Sequence, residues 1–284
     1  MKLFNQGLLQ RAVTAVIFVA IMLGGLYISS YSFIALFALI TALCLWEFYG
    51  MVLEHQDSRA FAARKFIGLG LGLTPFVVVS LLQLGMLTST RELIIAIAIF
   101  SSPFIFLLFI YELYAKAQRP FTNIAFLYLG VLYIGLPMAL LTIVAFEGQV
   151  FYANTIFGLL LLSWLNDTGA YLVGSMIGKT KLFPRISPNK TWEGSLGGVV
   201  LTLVVSYILS VFFDELRTLD WLVLGLIVSV FGSIGDLVES MLKRSVGVKD
   251  SGNILPGHGG ILDRFDAFIF LVPFASAYLL WVRM

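Results

Sequence analysis

Cysteine, histidine and charge are all scarce in this chain. Its single cysteine, Cys44, lies in an apolar run, which excludes a disulfide framework and a cysteine metal site. With only His55 and His258 to add, a zinc centre is not expected. Charged residues make up 12% and hydrophobic ones 60% of the 284 residues, whereas soluble domains carry about 25% and 45–50%. No internal repeat, low-complexity tract or linker marks off a soluble domain, so the chain reads as an all-α, polytopic integral membrane protein. The net charge of +2 says little, because the distribution of Lys and Arg matters more than their sum; no nucleic-acid partner is expected.

What the sequence has instead is a series of apolar runs, at about 12–28, 31–53, 66–87, 93–114, 122–146, 154–178, 196–213, 219–242 and 261–281. Each is near the roughly 20 residues that a helix needs to cross hydrocarbon, which predicts about nine transmembrane helices. The first run follows Lys2 and Arg11 as a signal peptide would, but no clear small-residue cleavage site follows, and an uncleaved first span is expected. Lys2 and Arg11, then Arg59, Arg64 and Lys65, then Lys116 and Arg119, then Lys179, Lys181, Arg185 and Lys190, then Lys243, Arg244 and Lys249 occupy alternate connections. Cytoplasmic loops are enriched in Lys and Arg, so the N-terminus is expected in the cytoplasm and the C-terminus in the periplasm. The two longest polar connections, about 179–195 and 243–260, then face the cytoplasm.

Residues 1–150, about five helices, are chemically quiet. Their exception is Glu47, near the cytoplasmic end of the second helix, which either snorkels to the interface or reaches into a site. Gly24, Gly25, Gly68, Gly70 and Gly72 allow close helix approach and need no further role. Residues 151–284, about four helices with the two long loops, form the expected catalytic region. There Asn166, Asp167 and Thr168 fall inside an apolar run, where a central charge costs about 2.5–3.5 kcal/mol on insertion scales and needs compensation. Asp167, Tyr171, Gly174 and Gly178 share one helix face. The run Gly174 to Thr180 superficially suggests a phosphate-binding P-loop, but it is one residue short between its glycines and follows an apolar helix instead of a strand, which excludes that motif.

In the loop that follows, Pro184 and Pro188 bar a continuous helix. Thr191, Trp192 and Glu193 stand at the start of the next one, where amide groups and the helix dipole favour an anion, and Lys190 beside them is placed to hold a phosphate. Further on, Ser233, Asp236, Glu239, Ser240, Lys243 and Arg244 recur at three- and four-residue spacing and can share one broad face. The glycines of the loop after Lys249 and Asp250 permit close approach to a ligand. Asp263 and Asp266 open the last helix and can point toward Asp236 if the two helices pack as a hairpin. Carboxylates without thiols suit magnesium, and magnesium among basic side chains suits a polyphosphate.

The run Ser240-Met241-Leu242-Lys243-Arg244, four residues, Lys249-Asp250-Ser251-Gly252 and then His258-Gly259-Gly260-Ile261-Leu262-Asp263-Arg264-Phe265-Asp266 closely resembles the C-terminal motif of the CDP-diacylglycerol synthases, or phosphatidate cytidylyltransferases. Asp167 to Tyr171 and Ser187 to Gly194 are similar to that family too. The resemblance implies CMP transfer from CTP to phosphatidic acid, giving CDP-diacylglycerol and pyrophosphate in a bacterial inner membrane, with the active site facing the cytoplasm. It implies catalytic or metal roles for Asp236 and Asp263, with Asp167 and Asp266 beside them, and phosphate or nucleotide contacts for Lys190, Ser240, Lys243 and Arg244. Ser187, Thr191, Glu193, Lys249, Asp250, His258 and Arg264, within or next to the same motifs, complete the expected substrate-binding set. Magnesium, potassium as a candidate second ion, and a homodimer are further implications. Two rivals are a CTP-dependent polyprenol or phytol kinase and, from another class, a cation-coupled transporter using Asp167 and Asp236 as ion sites.

Overall fold

In the computed structural model the chain is helical almost throughout, as its apolar runs demand of any backbone that must satisfy its own hydrogen bonds in lipid. The structure describes residues 2–55, 57–87, 89–148, 150–254 and 259–284, and for 2–12, 90, 93, 96, 97 and 100–104 the backbone alone. The helices are α1 (Lys2–Tyr27), α2 (Ser30–Val52), α3 (Ser58–Gln83), α4 (Thr90–Tyr114), α5 (Pro120–Gly130), α6 (Leu136–Ala145), α7 (Ala153–Ile177), α8 (Trp192–Phe212), α9 (Thr218–Ser245) and α10 (Leu262–Arg283). Four short strands join them: β1 (Phe146–Glu147), β2 (Val150–Phe151), β3 (Lys181–Phe183) and β4 (Ser187–Thr191). Among the described residues seven rods are long and apolar enough to cross a membrane, namely α2, α3, the continuous rod Pro120–Ala145, α7, α8, α9 and α10. The described parts of α1 and α4 include shorter apolar stretches, Val13–Tyr27 and Ile105–Tyr114.

Local chemistry sets where these rods begin and bend. Ser29 caps α2 by accepting from the Ser32 amide at 3.1 Å, and Asp57 caps α3 by accepting from the Arg59 amide at 2.9 Å. The second cap starts α3 well before the apolar run at 66, which draws Arg64 and Lys65 out of the expected connection and into the helix. Their charges are met there. Arg64 is buried in a two-pronged bond to Glu112 at 2.5 and 3.1 Å, and Lys65 lies 3.6 Å over the ring of Trp46. Between α5 and α6 the chain makes a π-helical turn, Val131–Gly135. Pro137 cannot donate to the carbonyl four residues before it, and the wider turn accommodates that defect.

The chain divides into two compact units, residues 1–150 with 250–263, and residues 151–249 with 264–284. In the first, Phe33, Phe37, Cys44, Leu45 and Phe48 of α2 are buried, and the Tyr49 hydroxyl donates to the Leu127 carbonyl at 3.0 Å. The π-turn packs against α3 so closely that a Cβ on Gly135 would lie 2.2 Å from the carbonyl oxygen of Gly72, a backbone atom that cannot swing away. Gly135→Ala is therefore expected to destabilise the protein by about 1–3 kcal/mol. Gly70→Ala, whose Cβ would meet nothing within 4 Å, is expected to be neutral or stabilising. Thermal unfolding of the two variants side by side checks the contrast.

In the second unit α7, α8 and α9 pack on one another. Gly174 and Gly178, expected to admit a neighbouring helix, lie against Thr191 and Gly194 at the start of α8. The opposite side of α8 is lipid-like: Val200, Val204, Ile208 and Val211 recur every three or four residues and are all exposed. A stripe of that composition suits hydrocarbon and would be costly in water.

Candidate active site

Lys190 is held by the joint between a hairpin and a helix. Strands β3 and β4 pair antiparallel, with Lys181 opposite Thr191 and Phe183 opposite Ser187. At the end of β4, Thr191 caps α8 by accepting from the Gly194 amide at 3.1 Å. Glu193, in the first turn, reaches back to accept from the amides of Lys179 and Thr180, both at 3.1 Å. These bonds close the hairpin onto the helix and fix the backbone on either side of Lys190. Its ammonium reaches Asp236 Oδ2 on α9 at 2.5 Å and the Ser233 carbonyl oxygen at 3.4 Å. The other Asp236 oxygen accepts from the Ser240 hydroxyl, one turn on, at 3.3 Å.

The surroundings supply more charge. Asn166, buried in α7, donates to the Ser233 hydroxyl at 3.2 Å, which ties that helix to the same turn of α9. Gly235 lets α10 come close, since a Cβ there would lie 3.1 Å from the Ala267 Cα and 3.2 Å from the Asp266 carbonyl. Asp266 is within electrostatic range of Asp236, Glu239 and Asp167, and Asp167 is within range of Asp236, Lys190 and Arg264. Glu239 is fully buried and pairs with Lys243. Three expected acidic residues, Asp167, Asp236 and Asp266, thus share one neighbourhood with Lys190, Ser240, Lys243 and Arg264. Among the described residues no three Asp, Glu, His or Cys side chains stand as a ready-made metal ligand set. At Asp236 the protein's own cation, Lys190, occupies the carboxylate.

Asp263 organises part of the first unit. It accepts from the amides of Ser251 at 3.0 and 3.2 Å and of Gly260 at 2.9 Å, which ties both ends of the loop to the start of α10. Below it, buried Glu47 accepts from the Ser251 hydroxyl at 3.1 Å and from the Leu262 amide at 2.8 Å. Gly252 lies close against this carboxylate, since a Cβ there would come within 2.3 Å of Glu47 Oε1 and push the side chain aside.

A comparison with described protein families matches the cytidylyltransferase family over residues 9–282. The chain belongs to that family. Phosphatidate cytidylyltransferases of Staphylococcus saprophyticus and Staphylococcus aureus are each 45% identical to it over 179 residues, and that of Staphylococcus haemolyticus is 44% identical over 183. The aligned stretches take in 62% of this chain and 66–67% of those relatives, so the chain spans about two thirds of the length of the relatives it matches.

For a cytidylyltransferase, the remaining expected residues fall into distinct settings. Thr191 and Glu193 serve the joint that carries Lys190. Arg244 is exposed and donates to the Val248 carbonyl at 3.1 Å, closing the turn after α9. Lys249 and Asp250 are exposed, Ser187 is half-buried in β4, and His258 lies outside the described residues. Ser233, placed on the Asp236 face by its spacing, and Asn166 enter the site network although neither was counted among the expected site residues. The signal was present in part: Ser233 shares the i, i+3 spacing of Asp236, and Asn166 is as anomalous in its apolar run as Asp167.

Proposed function

We propose that the chain transfers CMP from CTP to phosphatidic acid, forming CDP-diacylglycerol and pyrophosphate, the activity for which its staphylococcal relatives are named. The observation that carries the reading is the Lys190–Asp236 pair at 2.5 Å, a positioned cation among carboxylates in a cytidylyltransferase chain. An oxygen of the lipid phosphate attacks the α-phosphorus of CTP. A phosphorus–oxygen bond forms there as the bond to the α,β-bridging oxygen breaks, and pyrophosphate leaves with the electron pair.

The nucleophile is already an anion, so no general base is required, and His258 is assigned to loop or substrate contacts. Lys190 turns from Asp236 and the Ser233 carbonyl to a phosphate oxygen, and its fixed backbone keeps the ammonium where charge develops. Ser240 holds the Asp236 carboxylate in orientation. Lys243, Arg244 and Lys249 bring further positive charge to the end of α9, and Arg264 adds its own beside Asp167. Asp167, Asp236 and Asp266 offer only the oxygen donors that magnesium prefers, but would have to draw together, with Lys190 released from Asp236, to hold one; a magnesium ion there would neutralise charge on the triphosphate. Asp263 holds the Ser251 and Gly260 amides at the start of α10.

The same reading has nine spans in a bacterial inner membrane, with the N-terminus in the cytoplasm and the C-terminus in the periplasm. The alternation of basic connections supports it, and the connections 179–195 and 243–260 then meet cytoplasmic CTP. Homodimer assembly and a potassium ion beside magnesium belong to this reading as well. The test is to give the detergent-purified protein phosphatidic acid, magnesium and CTP labelled at either the α- or the γ-phosphorus. The α-label is expected in lipid and the γ-label in pyrophosphate. Transfer of the γ-label to a lipid alcohol would make the protein a kinase, and CTP untouched by any lipid would return attention to transport.

A further inference from the structure

A groove of about 560 Å³ runs along the second unit between the β3–β4 hairpin with α8 on one side and α9 on the other. Leu182, Ile186, Trp192, Leu196, Ile234 and Val238 form its walls. Its volume is in the range of small-molecule pockets, about 300–1,000 Å³, but it lacks the few polar groups that orient a polar ligand. Three serines line it and all are engaged. Ser195 donates to the Thr191 carbonyl at 3.2 Å, Ser229 donates to the Leu226 carbonyl at 3.0 Å, and the Ser233 hydroxyl accepts from Asn166 at 3.2 Å. The occupant is therefore apolar. Ser233 also marks where the groove meets charge, because its carbonyl oxygen accepts from Lys190 Nζ. A ligand filling the groove thus has an apolar body beside a cation, which calls for an anionic head.

We propose that this groove is the acyl-chain subsite, holding a chain of the lipid substrate while Lys190 meets its phosphate. The proposal rests on the reading of the protein as a phosphatidate cytidylyltransferase. It adds the place where the lipid lies and the residues that measure its chain. Leu196 and Val230 are both exposed and line the groove from α8 and α9. Each buried methylene of a chain contributes about fourfold to affinity, so a long-chain lipid gains from the groove far more than a short-chain one. Blocking the groove then penalises long chains selectively.

The experiment compares dioleoyl and dihexanoyl phosphatidic acid as acceptors of labelled CMP, using the full chain in detergent and its Leu196→Trp and Val230→Trp variants. The expected result is a fall of tenfold or more in kcat/KM for the dioleoyl lipid, with the dihexanoyl value and the KM for CTP within about twofold of the parent. Leu196→Ala, which adds no bulk, is expected to raise the KM for the long-chain lipid severalfold and leave the short-chain one alone. Equal losses for both lipids in variants that unfold at the parent's temperature would overturn the groove assignment while leaving the reaction intact. So would a shift in oligomeric size on gel filtration with equal losses, which would make the groove an interface between copies. A parent protein that labels neither lipid would overturn the reaction itself.

Discussion

Asp236→Asn is expected to lower kcat for CMP transfer by about 10²–10³, the size of effect seen when one preorganised electrostatic contact at a reacting centre is lost. The substitution changes charge and almost no volume. Asp236 is half-exposed in the C-terminal half of α9, and its contacts are to Lys190 and Ser240, not to the apolar core. Folding should therefore survive while two things are lost, the anion that orients the Lys190 ammonium and one oxygen donor of the proposed magnesium set. Lys190→Met removes the other half of the pair and is expected to raise the KM for phosphatidic acid more than that for CTP, because the ammonium meets the lipid phosphate before chemistry. Steady-state kinetics alongside thermal unfolding separates these outcomes. Turnover near that of the parent in Asp236→Asn would remove the pair from the reaction.

Glu47→Ala is expected to loosen Ser251 and Leu262 from α2 and to destabilise the first unit. It strips a buried acceptor from the Ser251 hydroxyl and the Leu262 amide, and each donor left unsatisfied costs about 1–3 kcal/mol. The cavity left by the carboxylate adds to that cost. Glu47→Gln keeps one carbonyl oxygen and is expected to restore most of the loss. Hydrogen exchange at the Leu262 amide reads the lost bond directly, and at the Ser251 amide, which donates to Asp263, it reads the loosening around it; fast exchange there with a slow core is the expected pattern. If Gln were as damaging as Ala, the charge of Glu47, and not its hydrogen bonds, would be what matters.

Glu47 also shows where the sequence stops being legible. Its position in an apolar helix end fitted either snorkelling or a reach into the site. The structure favours the second: Glu47 reaches Ser251 and Leu262 of the motif stretch as a buried tie between α2 and the first turn of α10, 215 residues away in the chain. Asp263 and Asp266 were paired by their spacing, and the structure shows what that spacing could not: Asp263 accepts from the amides of Ser251 and Gly260, and Asp266 stands within electrostatic range of Asp236. Arg64 and Lys65 looked like loop charges because hydropathy assigns any basic pair to a connection. The Asp57 cap and the partners Glu112 and Trp46 made them helical and buried.

By itself the sequence determined the apolar rods and singled out the acidic and basic residues proposed for the site. The runs at 31–53 and 219–242 became α2 and α9 nearly residue for residue, and the acidic and basic motifs stood out against a chain with so little charge. Hydropathy and helical spacing are local and add up along the chain, so they survive without knowledge of the fold. Only the tertiary structure decided that Lys190 lies on Asp236, that the motif around it is a hairpin clamped by Glu193, and that an apolar groove ends at Ser233. Those are pairings between helices and loops far apart in sequence, and their energies depend on distances of a few ångströms that exist only after the rods have packed.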